Sequence, residues 1–174
     1  VALVALSVLW PSPAPSAGRA PAVRVFGSRN ADTTEGVVEV TASPAEVYAA
    51  ATDFARWDAL LSDVDDVKLL AGGAKDALLR FSSRALDLTV TVRFSNLTDR
   101  ALRFTLVDGP PGGRCRGEFT LTPLEDGKRT RVSAKLTSYV VGPLGIFVSK
   151  KTLREQREAK LRADLRDVAR RFAK

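Results

Sequence analysis

A chain of 174 residues, 45% apolar and 27% charged, has room for one domain with a real core and not for two comfortable ones. It contains no histidine, which excludes Ser-His-Asp and Cys-His nucleophiles as well as histidine-ligated zinc, copper or iron. One cysteine, Cys115, excludes an internal disulfide or a Cys-rich metal site, and the net charge of +7 is concentrated at one end: residues 150–174 carry +6 of it.

Residues 1–10 (VALVALSVLW) form an apolar run that is too short to cross a hydrocarbon layer of about 30 Å as a helix. The run has the length of a signal-peptide core, and small residues follow at Ala17, Gly18 and Ala20, where a signal peptidase cuts. A basic leading segment and a starting Met are both missing. The expectation is a signal remnant over residues 1–20 and an exported protein, periplasmic or extracellular. Residues 21–33 read as a flexible lead-in, and residues 34–174 as the folded domain.

EGVVEVTA, residues 35–42, is Val-rich and bounded by Gly36 and Ser43, which predicts a first strand. Ser43-Pro44-Ala45-Glu46 then combines a cap, a proline at the first helical position and the Glu of a capping box. A short helix is expected to end near Asp53, and a second covers residues 55–61. The acidic SDVDD segment, residues 62–66, lacks the spacing of a calcium loop and reads as a turn.

From there the apolar period is two for about 75 residues. Six strands are predicted, joined by short turns such as GPPGG (109–113) and EDGK (125–128). Leu88, Val90, Val92 and Phe94 share one face of the third of these strands. Leu102 and Phe104, then Cys115, Gly117, Phe119 and Leu121, then Val132, Ala134 and Leu136, are inward on the next three. Arg80 and Arg116 fall on the opposite, solvent-facing side. A closing helix over residues 149–172 carries Leu153, Leu161, Leu165, Val168 and Phe172 on one stripe, with charge around the rest. The fold class is α+β: a curved antiparallel sheet gripping one long C-terminal helix, with two short helices after the first predicted strand.

The run VVEVTASPAEVYAAATDFARWDALLSDVDDVKLL resembles the N-terminal signature of the START/SRPBCC superfamily, and most of all its polyketide cyclase/dehydrase and coenzyme Q-binding group. The matching positions are Ser43, Pro44, Val47, Tyr48, Asp53, Phe54 and Trp57. GGRCRGEFTLTPLEDGKRTRVSAKL is similar downstream, so the resemblance covers residues 35–174. Its motifs are structural rather than catalytic. The resemblance implies a helix-grip fold with a cavity between sheet and last helix that holds lipids, isoprenoid quinones, polyketides or other apolar molecules. Some such proteins catalyse ring closure or dehydration, and many only bind.

On that basis Leu88, Val90, Val92, Phe94, Leu102, Phe104, Phe119 and Leu136 are candidate cavity-wall residues, with Trp57 at the mouth. The same residues serve equally as plain core. A wall of Leu, Val and Phe selects an apolar ligand, because a polar one would leave buried groups unpaired. Carriage or sequestration of a hydrophobic small molecule is therefore the expected function. A cyclase or aromatase using Tyr48, Tyr139 or a carboxylate near the mouth is the alternative.

VVGPLGIFV, residues 140–148, is an apolar loop followed at once by cations. Two readings of it stand. Pro143, Leu144, Ile146 and Phe147 with Lys150, Lys151 and Arg154 form either a gate that docks on an anionic membrane, or a tucked loop beside a solvated helix face. No nucleic-acid reader motif accompanies the basic helix, so nucleic acid is not an expected partner. The expected state is a monomer with no metal, no cofactor and no assigned catalytic residue.

Overall fold

The computed structural model describes residues 22–27, 32–73, 75–84, 87–143 and 148–173. Its centre is an eight-stranded antiparallel sheet in the order β1-β2-β8-β7-β6-β5-β4-β3. The strands are β1 Arg24–Gly27, β2 Thr33–Val40, β3 Val64–Gly72, β4 Asp76–Ser83, β5 Leu88–Thr98, β6 Ala101–Asp108, β7 Gly113–Leu124 and β8 Arg129–Val140. Helices α1 (Pro44–Thr52) and α2 (Trp57–Leu60), joined by a single helical turn at Phe54–Arg56, follow β2; α3 (Lys150–Arg171) ends the chain. This is the helix-grip α+β architecture.

The start of α1 forms as its sequence dictates. The Ser43 hydroxyl accepts the Glu46 N–H at 3.3 Å, and the Ser43 N–H donates to Glu46 Oε2 at 2.7 Å. At α3, Ser149 caps in the same way, accepting from the Thr152 N–H at 3.0 Å. The predicted six-strand meander is β3 to β8.

One expectation is corrected. Residues 24–27, read as part of a flexible lead-in, form β1 and pair with β2 from Arg24 opposite Val37 to Gly27 opposite Thr34. The free edge of β2 supplies the hydrogen bonds that a four-residue segment could not make alone. The signal-like residues 1–20, together with Leu144, Ile146 and Phe147 of the predicted gate, lie outside the described residues.

The core divides in two. Under α3, Val38, Val40, Leu121, Val132, Leu161 and Leu165 form one cluster. Under the α1–α2 hairpin, Phe54, Trp57, Val64, Leu79, Val92 and Phe94 form another. Close approach of α3 to β2 depends on Gly36, where a Cβ would lie 2.7 Å from Leu165 Cδ1 and 3.2 Å from Leu161 Cδ2. The outer face of the sheet is charged, with pairs such as Arg103–Glu118 (3.2 Å) and Arg131–Glu39 (2.9 Å). Arg80 and Arg116 are exposed, as expected for solvated positions on that face.

Candidate functional site

A cavity of about 80 Å³ lies on the seam between the two clusters. α1 contributes Val47, Ala50 and Ala51; Trp57 and Leu60 come from α2, with Leu61 just after it. The sheet adds Phe94, Leu102, Phe119, Leu121 and Val132, and α3 with its end closes the space with Asp164, Leu165, Val168 and Phe172. Fourteen of these fifteen residues are apolar. Trp57 is fixed by its Nε1–H, which donates to the Ala51 carbonyl at 3.1 Å, and its ring meets Phe94 edge-on at 4.8 Å.

Of the wall residues read from the sequence, Trp57, Phe94, Leu102 and Phe119 line this cavity. Five others do not. Val90 and Val92 are buried in the cluster under the α1–α2 hairpin, with Leu88 and Phe104 packed against it, because that hairpin covers their part of the sheet. Leu136 is half-buried farther along β8, opposite Thr34 and Gly117, where Arg157 of α3 covers the strands. Alternation placed all five on the correct face, but the helices decide which part of that face stays open.

The sequence reading also took the charges of α3 as solvent-facing. Arg157 and Asp167 are instead buried, at 3% and 4% exposure. Arg157 donates to the Ser138 carbonyl at 2.9 Å and to Thr34 Oγ1 at 3.3 Å. Burial pulls its guanidinium below the ordinary value, with Asp32 opposing. Asp167 accepts from the Ser62 N–H at 2.8 Å and the Ser62 hydroxyl at 2.7 Å, and pairs with Arg170. The acidic turn therefore fastens the end of α2 to α3 beside the cavity.

Next to that fastening, Lys160 lies between two carboxylates. Its Nζ is 2.5 Å from Asp164 Oδ1 and 3.3 Å from Asp63 Oδ2, and Asp63 Oδ2 also accepts from the Ser83 hydroxyl at 3.0 Å. Burial pulls the Lys160 ammonium down, but Asp164 and Asp63 outweigh it and hold it above its ordinary value. Burial pushes the Asp164 carboxyl up, against the pull of Lys160. A legible signal for this group did exist. Arg157, Lys160, Asp164 and Asp167 recur at steps of three and four, in phase with Leu161, Leu165 and Val168, so charges sit within the apolar stripe itself.

Cys115 is half-buried on the inner face, and burial pushes its thiol up to about 11, with Lys160 and Arg157 pulling the other way. Such a thiol is a poor nucleophile near neutral pH. Tyr139 is exposed and Tyr48 packs at the edge of the cluster under α3, so neither faces the cavity. Among the described residues, no group of three or more Cys, Asp or Glu side chains is placed to hold a metal ion.

This arrangement of sheet, hairpin and helix is shared with known proteins. The family model described as polyketide cyclase/dehydrase and lipid transport matches residues 31–173. The chain belongs to that family. Among solved structures, this member of the family is similar to a START superfamily protein from Mycobacterium smegmatis (TM-score 0.72, 16% identity, 80% of this chain and 96% of that one). A protein from Thermus thermophilus gives TM-score 0.68 at 18% identity over 80% of this chain and 96% of its own. The Zhui aromatase/cyclase from Streptomyces sp. R1128 gives 0.64 at 19% identity over 87% and 94%. These likenesses establish the fold. No curated protein sequence matches this member of the family.

Proposed function

We propose that this protein binds one hydrophobic small molecule, of the lipid, isoprenoid quinone or polyketide kind, in the seam cavity and carries or sequesters it unchanged. The observation that carries this reading is the lining: fourteen apolar side chains and one carboxylate, between the sheet and the C-terminal helix. At about 80 Å³ the cavity is smaller than the roughly 150 Å³ that accommodates benzene in an engineered core, so a larger ligand must spread the α1–α2 hairpin from α3. Purified protein examined by native mass spectrometry, then denatured and extracted, is expected to release one apolar molecule per chain with its structure unaltered. Protein that emerges empty and takes up no apolar probe overturns the reading.

The cyclase-type alternative draws on one observation, Asp164 on the cavity wall. It predicts that the extracted molecule is a converted product rather than the compound supplied. Delivery at a membrane is a further part of the proposal. Val141 and Pro143 are exposed at the end of β8, and the exposed Lys150, Lys151 and Arg154 follow; Lys151 and Arg154 face Glu155 and Glu158 along the helix at 3.9 and 3.8 Å. Salt-sensitive binding to anionic liposomes, lost on changing the three cations to Glu, is the expected result; equal binding to neutral liposomes overturns it.

A further inference from the structure

The fifteen lining residues include one polar side chain, Asp164, and its two oxygens are not equivalent. Oδ1 accepts from Lys160 at 2.5 Å, whereas Oδ2 has no protein hydrogen-bond partner among the described residues and is not fully buried, so water reaches it when the cavity holds no ligand. The surrounding charges fix what this oxygen accepts. Asp63, Lys160 and Asp164 together carry two negative charges and one positive, and the adjacent Asp167 is already balanced by Arg170. A ligand carboxylate would add a third negative charge to this group. A ketone or ether has no proton to offer and would displace water from Oδ2 without replacing its hydrogen bond. An ammonium would need solvation that the apolar remainder of the wall cannot give. A hydroxyl supplies one proton with no net charge.

We propose that the molecule held in this cavity is an apolar ring or chain bearing a hydroxyl, and that this hydroxyl donates to Asp164 Oδ2. The inference rests on the binding reading above and names its ligand class. Asp164 then acts as a specificity residue. It selects alcohols and phenols over the corresponding hydrocarbons, ketones and acids, and Lys160 holds its carboxylate in place through Oδ1. The aromatic row Trp57, Phe94, Phe104 and Phe119, with successive ring centroids 4.8, 5.6 and 5.9 Å apart, extends across the sheet from the same seam, and Trp57, Phe94 and Phe119 present apolar surface to the body of such a molecule.

The test compares naphthalene, naphthol and naphthoate as probes. It uses the full chain with Trp10→Phe, so that Trp57 on the cavity wall is the only tryptophan and reports occupancy by its fluorescence. Naphthol is expected to bind about tenfold more tightly than naphthalene, as a hydrogen bond to a charged acceptor allows, and naphthoate to bind weakest. Asp164→Leu should reverse the naphthol preference while naphthalene binds at least as well as before. If that variant does not fold, Asp164→Asn, which keeps the shape but not the charge, should narrow the preference severalfold. A purely structural role for Asp164 would instead shift both affinities together and leave their ratio unchanged, which overturns the proposal. Naphthol binding no better than naphthalene, or naphthoate binding best, also overturns it. Failure of all three probes to bind the parent protein removes the binding reading itself, whereas naphthalene binding without naphthol preference removes only this inference.

Discussion

Leu165→Ala should lower the unfolding free energy by about 3 kcal/mol and the Tm by about 10 °C. Leu165 is fully buried, at 0% exposure, and joins the cluster under α3 to the cavity wall. On its β2 side it packs over Gly36, where no side chain can move in to fill the space it leaves. The truncation removes apolar contacts and also enlarges a cavity that is already about 80 Å³. Relaxation is therefore limited, and the cost should fall within the range measured for Leu→Ala where collapse is incomplete. A second consequence separates this site from ordinary core. The enlarged space approaches the size that admits one aromatic ring without spreading the α1–α2 hairpin from α3, so added benzene should recover part of the lost stability in a concentration-dependent way. Thermal unfolding with and without benzene checks both. A cost below about 1 kcal/mol, or no response to benzene, would show that the seam collapses.

Gly117→Ala is expected to cost about 1–3 kcal/mol, although it adds one methyl group. A Cβ at Gly117 would lie 2.2 Å from Phe104 Cε1 and 2.4 Å from Phe104 Cζ, with the Lys135 carbonyl oxygen at 3.0 Å on another side. The backbone of β7 is held in the ladder between β6 and β8, so the ring must give way. Phe104 lies between Phe94, at 5.6 Å between centroids, and Phe119, at 5.9 Å, and both of these line the cavity. Displacing it therefore disturbs the aromatic wall and should weaken binding of naphthalene as well as stability. Phe104→Ala alone removes a large apolar side chain, yet in the double variant the methyl and the ring no longer collide. Denaturant unfolding of the four proteins should give a double variant more stable than the sum of the two single losses predicts. Strict additivity would mean that Phe104 is not what the glycine accommodates.

Local and periodic features of this protein follow from its sequence alone. Ser43, Pro44 and Glu46 determine where α1 begins, because a capping box satisfies free N–H groups within one turn. Period-two runs determine β3 to β8 and their inner faces, and the three-to-four spacing of Leu161, Leu165 and Val168 determines the side that α3 turns to the sheet. The SPAEVY and DFARW motifs carry the resemblance to the family whose model matches residues 31–173. β1 was not legible, because four residues acquire a strand only from the β2 edge beside them. Nor could alternation separate Phe94, Leu102 and Phe119, which line the cavity, from Val90, Val92 and Phe104, which are packed beneath or beside it. Alternation reports the face of a strand and carries no information on what covers that face. The tertiary structure also decided the fate of the charges. Asp63 is twenty residues from Ser83 and nearly one hundred from Lys160; pairing of β3 with β4 sets Asp63 beside Ser83, and packing of α3 against the acidic turn adds Lys160 and leaves Asp164 as the one carboxylate among the described residues of the cavity wall.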